Sequence, residues 1–117
     1  MTKYTGGCHC GAVRYELEAD IQQVGACNCS MCRRAGTLLA FVPASAFTLL
    51  SGAEALTSYR FNKHVIDHLF CSRCGIKPFA RGTAPDGTET VAVNARCLDG
   101  VDADKQFTVT HFDGASY

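Results

Sequence analysis

Along most of the chain, apolar and polar residues alternate with a period of two. In the stretch AVRYELE, Val13, Tyr15 and Leu17 alternate with Arg14, Glu16 and Glu18. One face of an extended segment is then apolar and the other charged, as in a half-buried strand. The same reading predicts strands at VGACN (24–28), LLAFV (38–42), FTLL (47–50), LTSYRF (56–61), HVIDHLF (64–70), KPFARG (77–82), TVAVNA (90–95) and QFTVTH (106–111). Gly6-Gly7, Pro43, Ser51-Gly52, Pro85-Asp86-Gly87 and Asp99-Gly100 punctuate them, being residues that favour turns over strand interiors. Helical signals are limited to one turn around Ser30 to Ala35 and one after Pro43. The expectation is a mainly β fold of small antiparallel sheets, forming a single domain over residues 1–117.

Charge narrows the partners. Eleven basic and eleven acidic residues give a formal net charge of zero, which offers no electrostatic footprint for nucleic acid or an anionic membrane surface. No apolar run approaches the roughly 18–20 residues of a membrane span, and the stretch MTKYTGGCHCG lacks the apolar core of a secretory signal. A soluble, cytoplasmic protein is expected, with neither nucleic acid nor membrane as partner.

Eight cysteines change the picture. Cys8-His9-Cys10 and Cys27-Asn28-Cys29 are C-x-C pairs, too close for an unstrained disulfide within either. In a reducing compartment, thiolates on a metal are the better reading. Residues i and i+2 of an extended segment face the same way, so Cys8 and Cys10 can aim at one ion. Cys71-Ser-Arg-Cys74, followed by Gly75, is a C-x-x-C turn of the kind found in zinc ribbons. Together these make a four-thiolate site. Cys27, Cys29 and Cys32 remain as a local three-thiolate cup, and a shell of three protein ligands is the mark of a catalytic rather than a structural zinc.

Cys97 could close that second shell or be an ordinary buried cysteine. It has no ligand near it in sequence, and free cysteine is among the most frequently buried residues, so burial is the favoured reading. Arg33 and Arg34 follow Cys32, and Arg73 sits inside the C-x-x-C turn; such cations offset the charge of metal-bound thiolates. Arg33 and Arg34 are either a solvated turn or the partners of a carboxylate on an anionic substrate. His9 should point away from the ion that its neighbours hold. His64 and His68 should share one face of a strand, with Asp67 on the other, in structural or surface roles.

The segments GGCHCGAVRYELEA, CNCSMCRRAG and FCSRCG, in that order, resemble the glutathione-dependent formaldehyde-activating enzyme family, which includes centromere protein V. The likeness covers residues 6 to about 82 closely and extends loosely through VNARCLDG to about 100. It implies a β-tent fold around two zinc ions. Cys8, Cys10, Cys71 and Cys74 match the structural ligands, and Cys27, Cys29 and Cys32 the catalytic ones. It also implies a carbon–sulfur lyase activity in which glutathione and formaldehyde combine as S-hydroxymethylglutathione.

An open zinc site suits such chemistry, because it lowers the pKa of an incoming thiol and holds it against a small aldehyde. The carboxylates of glutathione would then need a partly basic rim, for which Arg33, Arg34 and Lys77 are the candidates. Sequence names no proton donor. The competing readings are a non-catalytic zinc module that binds another macromolecule, and a carrier that binds glutathione without turning it over.

Overall fold

The computed structural model of the protein describes residues 2–60, 66–83 and 86–112. Its strands are β1 (Thr2–Gly7), β2 (Arg14–Ala19), β3 (Gln23–Cys27), β4 (Leu39–Pro43), β5 (Phe47–Ser51), β6 (Leu56–Tyr59), β7 (Asp67–Cys71), β8 (Phe79–Thr83), β9 (Glu89–Asn94) and β10 (Thr108–Phe112). Two short helices, α1 (Ser30–Ala35) and α2 (Ala103–Gln106), and three single 3-10 turns complete the described residues. Each alternating stretch picked out in sequence overlaps one strand, residues 61–65 of LTSYRF and HVIDHLF lying outside the described residues, and the turn after Pro43 is a 3-10 turn over Ala44–Ala46. The fold is mainly β, as expected.

The strands form two sheets. One has three strands in the order β1-β2-β5, the other seven in the order β10-β3-β4-β9-β8-β7-β6. All pairings are antiparallel except β10 with β3. That parallel pair needs a long crossover, and here the chain between β3 and β10 supplies it by building the rest of the larger sheet.

The alternation read from sequence is the alternation of burial. Tyr15 and Leu17 of β2 are fully buried, and so are Phe79 of β8 and Val91 and Val93 of β9. Tyr15 and Phe47 of the small sheet meet Phe79 of the large one, with ring centroids 5.8 Å (Tyr15–Phe79) and 4.7 Å (Phe47–Phe79) apart. Aromatic contacts of this kind join two sheet faces into one core. The guanidinium of Arg81 lies 5.4 Å from the centroids of both phenylalanines, covering their outer edge.

β1 has no counterpart among the predicted strands, because its sequence ends in two glycines. It forms by pairing residue for residue with β2, from Thr2 opposite Ala19 to Gly7 opposite Arg14. Those glycines are required by what lies beside them. A Cβ on Gly7 would stand 2.0 Å from the carbonyl oxygen of Val13, and one on Gly6 2.6 Å from that of Cys97. This close approach delivers the chain to Cys8. No helix among the described residues is long and apolar enough to cross a membrane.

Candidate metal centres

Cys8 and Cys10 sit on the loop between β1 and β2, where a turn over His9 and Cys10, and not the expected extended segment, brings the two sulfurs together. That loop is closed by the Cys8 amide bonding the Val13 carbonyl at 3.1 Å, and by the Val13 amide donating to Cys8 Sγ at 3.3 Å. Cys71 ends β7 and Cys74 lies in the turn after it. Gly75, with φ of 78°, turns the chain back so that its amide reaches the Cys71 carbonyl at 2.8 Å, and Cys71 in turn donates to Ile76 O at 2.9 Å. The Arg73 amide points at Cys71 Sγ from 3.4 Å. All four sulfurs lie within 4.8 Å of one another, with Cys8–Cys10 and Cys10–Cys71 both at 3.6 Å.

Cys27 ends β3, Cys29 caps α1 and Cys32 lies one turn into that helix. Cys29 has extended backbone (φ −61°, ψ 160°), and its sulfur accepts from the Cys32 amide at 3.3 Å. The Cys29 amide in turn approaches Cys27 Sγ at 3.5 Å. A strand end, a cap and the first turn of a helix thus gather three sulfurs within 4.8 Å of one another. Gly36 (φ 70°) ends the helix, its amide bonding the Cys32 carbonyl at 2.9 Å.

The donor sets fit a metal. A tetrahedral ion with Zn–S bonds of about 2.3 Å places its sulfurs about 3.8 Å apart, close to the 3.6 Å observed in the four-cysteine cluster and far from a disulfide bond. In the second cluster the thiols of Cys29 and Cys32 are pushed in opposite directions. Burial and the hydrogen bond with Cys29 push Cys32 up to about 12, whereas at Cys29 the amide of Cys32 and the neighbouring thiols outweigh burial and lower the pKa. A divalent cation resolves this conflict, because coordinated thiols give up their protons outright.

Among the described residues, Cys97 joins neither cluster. It lies in a 3-10 turn after β9, its sulfur 3.9 Å from the Lys77 carbonyl oxygen. Burial pushes its thiol up to about 11, reinforced by Cys8 and Cys74, so its neighbours are in the four-cysteine cluster. Cys97 is half-buried rather than fully buried, so the expectation holds in its lack of ligation among the described residues and not in its burial.

Arg33 and Arg34 are exposed on α1, where Arg34 donates to Ser30 O at 3.0 Å. His9 is exposed, beside rather than within its cluster. His64 lies outside the described residues. His68 and Asp67 do fall on opposite faces of β7: Asp67 pairs with Arg60 and bonds Ser58 Oγ at 2.9 Å, while His68 is buried.

Lys77 departs from the expected rim position. It is only 7% exposed, and its Nζ lies 2.7 Å from Nδ1 of His68. Burial lowers its pKa, and the thiols of Cys32, Cys29 and Cys27 act in the opposite direction. A lysine directly after a metal knuckle and before a proline carries no sequence signal of burial. Its partner on β7 lay on a face that the strand pattern alone could not assign to core or surface.

Two thiolate clusters of metal-site geometry, one of four sulfurs and one of three, mark a small β protein whose cysteines are arranged to hold metal ions. The sequence profile of the glutathione-dependent formaldehyde-activating enzymes matches residues 3–112, and the chain belongs to that family. It is also similar to a crystal structure of a Rhodobacter sphaeroides protein, at 34% identity and a TM-score of 0.78, over 91% of this chain and 99% of that one.

Proposed function

We propose that this protein is a zinc-dependent carbon–sulfur lyase that interconverts a thiol adduct such as S-hydroxymethylglutathione with glutathione and a small aldehyde, formaldehyde being the family's namesake. In this reading Cys8, Cys10, Cys71 and Cys74 hold a structural zinc, and Cys27, Cys29 and Cys32 a catalytic one. The observation that carries it is the difference between the clusters. Four sulfurs complete a tetrahedral shell, whereas among the described residues no fourth cysteine, histidine or carboxylate joins Cys27, Cys29 and Cys32. An ion held there supplies a Lewis acid that acidifies a thiol at neutral pH.

The chain's own residues do the rest. The β3–α1 junction fixes the sulfurs of Cys27 and Cys29 through backbone N–H···S bonds, and Cys32 is held on α1 itself, so the site is organised before substrate arrives. Exposed Arg33 and Arg34 flank it on α1 and offer partners for the carboxylates of glutathione.

Cys32→Ser tests the assignment. The expected result is loss of catalysed exchange in mixtures of glutathione and formaldehyde, followed by NMR at substoichiometric protein, with the fold largely kept. A collapse of the melting temperature instead would point to a second structural site. Tight glutathione binding without faster exchange in the unaltered protein would mark a carrier.

A further inference from the structure

The seven-stranded sheet has a second face, turned away from the aromatic core, and its register runs from strand to strand. Phe41 of β4 lies opposite Ala92, Ala92 opposite Ala80, Ala80 opposite His68, and His68 opposite Tyr59. Residues directly opposite one another share a face, as do residues two apart along a strand. The strands of this sheet contain three Asp, Glu, Lys or Arg residues: Asp67, Arg81 and Glu89. Asp67 is opposite Arg81, Arg81 is opposite Val91, and Glu89 lies two residues before Val91. All three therefore belong to the core side, and no strand position on the outer face carries a charged side chain.

That face is also not flat. Ala80, Gly82, Thr90 and Ala92 line a slot of about 230 Å³ together with Phe41 and Ile66. Strands β9 and β8 lie between β4 and β7, so their small side chains form the floor, and Phe41 and Ile66 stand on either side. A Cβ on Gly82 would meet Ile66 Cγ1 at 3.5 Å. Arg81 borders the slot, but its guanidinium lies over the rings of Phe47 and Phe79 on the core side. Phe41 is 59% exposed, Tyr59 51% and Ile66 44%, three of the five large hydrophobic side chains exposed among the described residues. Exposed aromatic and aliphatic groups without charges between them are the composition of an interface core, not of a solvated surface.

We propose that the protein self-associates as a two-fold dimer through this outer face, with Phe41 of each copy seated over Ala80, Gly82 and Ala92 of the other. Charge and shape both select a second copy as the occupant. A charged partner would find nothing to pair with, whereas two copies of an uncharged face meet without repulsion. The slot is smaller than the roughly 300–1,000 Å³ of a pocket that encloses a small ligand. A second copy brings a projecting ring and a small-residue slot on one surface, and a two-fold axis engages both at once, as an isologous contact requires. Sheets packed about 10 Å apart leave room for one such layer of interleaved side chains.

Size sets the strength. From β6 to β4 the face spans five strands spaced about 4.8 Å apart, so the contact covers on the order of a few hundred Å² on each copy. That is below the roughly 800 Å² per partner of a standard interface, and the dimer is accordingly weak, with a Kd of about 10–100 μM. The contact is centred away from the three-cysteine cup. Gly25 is opposite Leu39 on antiparallel strands, with Cys27 two residues one way and Phe41 two residues the other, about 14 Å apart along the strands.

Sedimentation velocity of the metal-loaded full chain should show monomer at about 1 μM and mostly dimer at about 1 mM. In an equal mixture of unlabelled and carbon-13-labelled protein, isotope-filtered NMR should show NOEs from unlabelled Phe41 ring protons to labelled Ala80 and Ala92 methyl groups. Phe41→Glu should weaken association about 30-fold or more, as loss of a central anchor does, because symmetry places the new charge in both slots. Thr90→Arg leaves the ring in place but puts a charged chain into the slot, and should act in the same direction. Unchanged metal content and melting temperature in each variant assign the effect to association. A parent protein that stays monomeric at about 1 mM overturns the proposal, as does a dimer that neither substitution weakens or that lacks those NOEs. If Phe41→Glu does not fold, Thr90→Arg decides alone. A monomer whose Ala80 and Ala92 methyl resonances shift on addition of 1-octanol would give the face to a small apolar ligand and equally overturn the dimer.

Discussion

The sulfurs of Cys10 and Cys71 lie 3.6 Å apart, and this contact staples the three-stranded sheet to the seven-stranded one. Cys10 belongs to the loop that leaves β1, and Cys71 to the end of β7. A structural zinc held across such a junction typically contributes an apparent ~10–16 kcal/mol of folding free energy at neutral pH, as much as the whole stability of an ordinary domain. Cys71→Ser, or exhaustive chelation, should therefore abolish cooperative unfolding followed by circular dichroism. A chelated chain that keeps its melting transition would show that the aromatic core suffices.

Gly7→Ala should be among the most damaging single-methyl additions in the chain. The new Cβ would fall 2.0 Å from the backbone carbonyl of Val13, and backbone cannot swing aside as a flexible side chain can. Strand β1 must shift and carry Cys8 with it. A loss of about 3 kcal/mol or more is expected in urea titrations, with less zinc bound at the four-cysteine cluster. Gly11→Ala is the contrast: its φ of 83° is strained for alanine, but its Cβ meets nothing within 4 Å, so about 1 kcal/mol is expected.

His68 makes stability depend on pH. Its folded-state value is depressed to about 4, first by burial and then by the charge of Lys77. Between an unfolded value near 6.5 and that folded value, the unfolded chain binds a proton that the native chain refuses. Stability is therefore full above about 6.5 and declines as pH falls toward 4, by up to about 3 kcal/mol for this group. To isolate this group, the relevant quantity is the difference between the parent and His68→Gln, which should lose less stability over the range.

Cys97→Ala should leave the zinc content equal to that of the parent protein, two per chain in the proposed reading, because among the described residues the Cys97 sulfur lies outside both clusters. Removing one partly buried sulfur should cost about 1 kcal/mol. Inductively coupled plasma mass spectrometry of the purified variant measures the first and thermal denaturation the second. Loss of one zinc would reassign Cys97 as a ligand.

Replacing both Arg33 and Arg34 with alanine should raise KM for glutathione about tenfold while kcat changes less, as expected when exposed cations bind a substrate carboxylate without touching the reacting atoms. The fold should be unaffected, since both side chains are exposed. Unchanged steady-state kinetics would return the two arginines to the status of a solvated helix end.

The features legible in sequence are local ones. Alternation in AVRYELE marked Tyr15 and Leu17 as core residues, because side chains two apart in an extended chain share a face whatever lies opposite. The cysteine partition was legible because cysteines two or three apart bring their sulfurs together locally, although at Cys8 and Cys10 a turn does this and not an extended strand. Neighbours in sequence settled those questions.

Only the tertiary structure decided that TKYTGG is a strand, that β10 returns parallel to β3, that Cys97 stands apart, and that Lys77 is an interior ammonium bonded to His68 rather than a rim cation. Each depends on what lies across a sheet or between two sheets. An edge strand exists because a partner offers its backbone groups, and Lys77 can be buried because a histidine from a distant strand meets its Nζ. Local sequence periodicity carries no record of such partners, since they are brought together only when the two sheets close over their shared core.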